Sequence, residues 1–281
     1  MNNQFNNFRT DLSACIALDS KPILAPTLLS DLETYFGPAS PETTSYVKTF
    51  GIRLYNFTGS PLSDQAADVL WGLRNVSATL ESIHSGWESA DALPEEMQYS
   101  DRVEVLERRV HRLWYVEDPD NEQHVIFRTF GWACLIYIYC TLRELPPELG
   151  MNAMLAGRIK AALEECADLN VLLATFRDLM LWQMFICGRV ADPRDRPFFA
   201  SQATKLLLVQ KVERPVDIII ASESFLWPER QLSLPVRTKF VLHNFQGDEG
   251  ASDEGESDTG DENCTPRPIQ PASIQLDSDS P

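Results

Sequence analysis

The sequence predicts an all-α fold: an array of antiparallel helices followed by a disordered acidic C-terminal tail. Three observations predict it. Apolar residues recur at spacings of three and four through most of the chain, while strand-like alternation is scarce. Turn signals rich in Gly, Pro, Ser and Asp separate these stretches. Beyond Gln246 the chain carries almost nothing apolar to bury, so ordering it would cost more entropy than burial returns. With 281 residues, 44% of them hydrophobic, and a mean hydropathy of −0.20, one helical domain plus a tail accounts for the length. The predicted divisions are an N-terminal lead-in over 1–24, the helical domain over 25–246 and the tail over 247–281.

The elements follow in order. PTLLSDLETYF (Pro26 to Phe36), TTSYVKTFGIRLYNF (Thr43 to Phe57) and SDQAADVLWGLRNVSATLESIH (Ser63 to His84) read as helices, with GPASPE, TGSP and ESADALPEE as the turns around them. In SDRVEVLERRVHRLWYV, the residues Val103, Leu106, Val110, Leu113 and Trp114 share one face, which makes an amphipathic helix. Ser100 or Asp101 is placed to cap it, Glu104 and Arg108 to form a surface pair, and His111 to sit on its solvated side. HVIFRTFGWACLIYIYCTLREL is apolar nearly all round and should be central, ending at Leu145-Pro146-Pro147. Leu155, Ile159, Leu163 and Cys166 mark one face of a helix running to about Asp168, and VLLATFRDLMLWQMFICGRV forms another. After the turn DPRDRP come SQATKLLLVQKVE, stopped before Pro215, and VDIIIASESFLW, stopped at Pro228.

Charge excludes some function classes. The formal net charge is −17. Ten acidic residues against one basic residue give Gly247–Pro281 a charge of −9, leaving −8 for Met1–Gln246. Both parts repel phosphate backbones, so no direct nucleic-acid contact is expected from this chain. The N-terminal residues lack a basic region followed by an apolar core, and read as neither a signal nor a transit peptide. The longest apolar run, Trp132 to Cys140, is too short to cross a bilayer. The six cysteines are scattered without a C-x-x-C pair, as in reduced intracellular proteins, and the sequons at Asn56, Asn75 and Asn263 then carry no meaning.

Candidate chemistry is sparse. Cys187 next to Arg189 could serve as a thiolate nucleophile, but no His or acid stands in a recognisable relation to it, and a small residue facing the core is the stronger reading. The histidines His84, His111, His124 and His243 lack metal-ligand spacing. DEGASDEGESDTGDEN misses the ligand positions of a calcium loop, and neither a phosphate-binding glycine loop nor a G-x-S-x-G elbow occurs. No catalytic, metal or cofactor residues are assigned. Ser252, Ser257 and Thr259 have acidic neighbours and could accept phosphate.

Three stretches carry a resemblance. WACLIYIYCTLREL, RDLMLWQMFICGRVADPRDRPFFASQ and SFLWPERQ together resemble the regulatory domain of fungal zinc-cluster transcription factors, over about Leu28 to Leu232. Ala133, Leu135, Ile136, Tyr137 and Tyr139 match its first helix motif, and Leu181, Trp182, Phe185, Gly188 and Ala191 its second. Asp195, Arg196, Phe198 and Phe199 fill the turn, and Trp227 stands near the domain's end. The resemblance implies that Trp182 and Phe185 are core knobs, Gly188 a close-packing point, and Asp195 with Arg196 a polar lock on a turn whose aromatics fold back on the bundle. The family's DNA reader is a basic six-cysteine zinc module, and these residues hold no clustered cysteines or basic run to supply one.

The function expected is a non-enzymatic, nuclear regulatory domain that works through transcriptional co-regulators or other proteins and carries no cofactor. A helical enzyme with Cys187 or Arg189 at its site, or a helical adaptor outside transcription, are the other readings.

Overall fold

Thr58-Gly59-Ser60-Pro61 joins two long helices of the body. In the computed structural model, which describes residues 14–15, 41–84, 93–113, 125–209 and 225–226, α1 (Pro41–Thr58) ends at Gly59, whose φ of 62° lies in the left-handed region open to glycine. The Ser60 hydroxyl then accepts the Leu62 N–H at 3.3 Å, and Pro61 leads directly into α2 (Leu62–His84). This short connection makes α1 and α2 a hairpin. They approach closely at Gly51, where an added Cβ would stand 3.1 Å from Ala67 Cβ.

Six further helices follow among the described residues: α3 (Leu93–Arg112), α4 (Val125–Tyr137) with its π turn Ile138–Leu142, α5 (Gly150–Glu164), α6 (Leu169–Thr175), α7 (Arg177–Val190) and α8 (Arg196–Val209). No strand occurs among the described residues, and the fold class is all-α. α4 is buried on every face except at Val125 and Arg128, as its all-round apolar sequence requires, and it packs against α3, α5 and α7. The apolar run Trp132 to Cys140 is buried inside the body; the longer stretch Val125–Leu142 that contains it has a mean hydropathy of 1.5, which by length and composition would cross a bilayer, and 89% of it is buried.

Several expectations are corrected. α3 begins at Leu93, so Ser100 and Asp101 lie inside the helix and do not cap it, and part of ESADALPEE is helix; Pro94 fits because a first-turn N–H needs no helical acceptor. Glu104 and Arg108 do pair, at 2.7 Å, but are buried, and His111 is fully buried rather than solvated. The segment from Val171 to Val190 is not one helix. α6 and α7 meet at a bend of 108°, where Phe176 leaves helical geometry (φ −119°, ψ 48°) to bury its ring edge-on to Phe57 at 5.3 Å. α5 stops at Glu164, before Cys166, and α8 starts within DPRDRP, again with a proline in its first turn.

The chain divides into two units, Met1–Gln246 and Gly247–Pro281, and all described residues lie in the first. Outside the described residues lie the helix expected over Pro26 to Phe36, most of VDIIIASESFLW, Trp114, His124, Trp227, His243, Cys264 and the acidic tail.

Candidate functional site: an aromatic centre and its polar clamps

Where α4 meets α7, the two helix motifs come together. Trp182 is fully buried and its ring lies 6.0 Å from Tyr137 and 6.4 Å from Phe130. The Tyr137 hydroxyl shares a 2.7 Å hydrogen bond with Ser77 of α2, and burial raises its pKa. Leu181, Phe185, Gly188 and Ala191 are buried too, so the second motif faces the interior along its length. Each close aromatic pair contributes about 0.5–1.5 kcal/mol beyond the area it buries.

The turn after α7 is held at two separate points. Asp195 accepts a 2.9 Å bond from Lys160 Nζ of α5, which raises the lysine's pKa, while Arg196 Nε donates to the Ala191 carbonyl at 3.0 Å. Asp195 and Arg196 therefore fasten the turn to different partners. Phe199 is fully buried against the bundle, and Phe198 packs edge-on to it at 5.3 Å with Lys160 Nζ 5.9 Å from its ring.

Further residues that the sequence reading did not single out organise the rest. Asp178, in the first turn of α7, accepts the Tyr46 hydroxyl at 2.6 Å and Arg53 Nη2 at 2.8 and 3.1 Å, tying α1 to α7 at a helix end that favours a carboxylate. Burial, then the Asp178 charge, raises the Tyr46 pKa, so Tyr46 is the donor. Arg74 of α2 stacks on the Tyr46 ring at 4.3 Å and donates from Nε and Nη2 to the Phe225 carbonyl at 3.0 and 2.7 Å. The Phe225 ring stands 5.1 Å from Trp182 and 5.5 Å from Phe50. Glu107 of α3 accepts both the Tyr139 hydroxyl and Arg143 Nη2 at 2.6 Å, fixing α3 to the π turn. The only sequence signal for Arg74 and Glu107 was a charged residue flanked by core positions, in GLRNV and VLERRV.

Neither Cys187 nor Cys140 has the surroundings of a reactive thiolate. Cys187 is fully buried and burial raises its pKa far from the thiolate range; Cys140, also buried, is pushed up to about 11 by burial. Among the described residues, no three His, Cys, Asp or Glu side chains group to hold a metal ion.

The family model described as fungal specific transcription factor domain matches residues 67–221, from within α2 to just short of Phe225. This span is narrower than the Leu28 to Leu232 of the sequence resemblance; it contains both helix motifs and the turn, and leaves SFLWPERQ outside. No curated protein and no solved structure gives a significant match. With more than half of its length matched, and the motif helices α4 and α7 packed on each other as its core, the chain belongs to the fungal specific transcription factor domain family.

Proposed function

We propose that this chain is a non-enzymatic regulatory domain of a zinc-cluster-type fungal transcription factor, acting in the nucleus through contacts with transcriptional co-regulators in the control of RNA polymerase II transcription. The family match over residues 67–221 carries this reading, because the matching family is described as a transcription factor domain. The packing supports it: the motif residues of α4 and α7 point inward and build a scaffold, and the one candidate nucleophile is sealed in the core. The net charge of −17 repels DNA, so partners of this domain are proteins. Titrating the chain against a random-sequence DNA pool at physiological salt tests the protein-contact mechanism. The expected result is no selection of any sequence. Nanomolar binding with a sequence preference of about a thousandfold or more would overturn it.

A further inference from the structure

α7 is buried at every residue except Arg177, Asp178 and Arg189, which stand in its first and last turns. Gln183 lies midway between those turns and is 0% exposed. Residues three and four apart are neighbours on a helix, so along α7 its side chain is flanked by Leu179, Met180, Ile186 and Cys187. All four are buried, and Leu179, Met180 and Ile186 offer the amide no strong side-chain partner.

Neither Nε2 nor Oε1 of Gln183 makes a hydrogen bond among the described residues. This separates Gln183 from the apolar core around it: a strong donor and a strong acceptor are sealed away together. A long charged side chain can run its stem to the surface, but a short amide at the middle of a covered helix cannot. Burying such a group dry is costly, and the large majority of buried side-chain polar atoms are bonded either to protein or to ordered water.

Two further polar groups stand one turn away on the same helix. Burial raises the Cys187 pKa, so its thiol is present as S–H and can donate. The Leu179 carbonyl accepts the helical N–H of Gln183 and has a second lone pair. We propose that Gln183 is an internal hydration site, where one or two water molecules are held by its amide together with the Cys187 thiol and the Leu179 carbonyl. Water is the smallest neutral molecule that both donates and accepts, and a buried water needs two to four polar partners, which these groups supply. Cys187 thereby gains a role beyond filling space. The inference rests on α7 alone and stands whether or not the transcriptional reading holds.

Two measurements on the full chain decide it. A high-resolution crystal structure should place an ordered water about 2.7–3.2 Å from Gln183 Nε2 or Oε1. An amide bonded to protein groups only, or with no water in reach, overturns the site. Oxygen-17 relaxation dispersion counts the water molecules that a protein holds for longer than nanoseconds. In Gln183→Met, which keeps the length of the side chain but has no amide, that count should fall by at least one. An unchanged count in the folded variant overturns the proposal. If Gln183→Met does not fold, the crystal structure of the wild type decides alone.

Discussion

Replacing Glu107 by alanine removes the acceptor at which α3 and the end of the central helix meet. Both carboxylate oxygens are engaged at 2.6 Å, one by the Tyr139 hydroxyl and one by Arg143, and the Glu107 and Arg143 side chains are only 7% and 17% exposed. Alanine therefore strands a largely buried cation and a buried hydroxyl. Removing one partner from such a pair costs about 3–5 kcal/mol. At about 2–4 °C per kcal/mol for a domain of this size, the melting temperature should fall by about 6–20 °C. Tyr139→Phe leaves the Arg143 pair in place and strands one carboxylate oxygen, at about 1–3 kcal/mol. The assay is thermal unfolding of the full chain by far-UV circular dichroism for wild type, both single variants and the double. Because the two changes remove the same hydrogen bond, the double variant should be less destabilised than the sum of the singles by about 1 kcal/mol or more. A Glu107→Ala melt within about 1 °C of wild type, or strictly additive changes, would refute the clamp.

Trp182→Ala should destabilise by about 3–5 kcal/mol, since it empties the aromatic centre; chemical denaturation midpoints check it. Cys187 should react with a thiol reagent only as fast as the protein unfolds, and rapid native labelling would revive a nucleophilic role. Asp178→Asn keeps the shape of the α1–α7 tie but weakens its charge-assisted bonds, and a loss of about 1–2 kcal/mol in the same melts is expected. Truncation after Gln246 should leave the melting temperature unchanged; a large drop would show that the body depends on the tail.

The sequence carried the fold where one physical signal dominated. An all-round apolar stretch meant a buried central helix, and α4 is that helix. The apolar run of the second motif was legible for the same reason; Leu181, Trp182 and Phe185 are buried. It failed where tertiary contacts override local preference. Glu104, Glu107, Arg108 and His111 look solvated on a helical wheel, yet α3 is enclosed on more than one side, and the partner of Glu107 is Arg143, 36 residues away. The bend at Phe176 has no proline or glycine to announce it; it follows from burying that ring against Phe57. The Arg74 clamp was invisible because its acceptor is a backbone carbonyl 151 residues downstream, and no side-chain pattern marks an acceptor.

In the proposed function this domain regulates transcription through proteins. The most direct test fuses the full chain to a neutral DNA-binding domain and measures reporter transcription in fungal cells, beside the same fusion truncated after Gln246 and the DNA-binding domain alone. The full chain should shift output away from the DNA-binding domain alone, in either direction. Output equal to that control for a fusion shown to be folded and nuclear would contradict it.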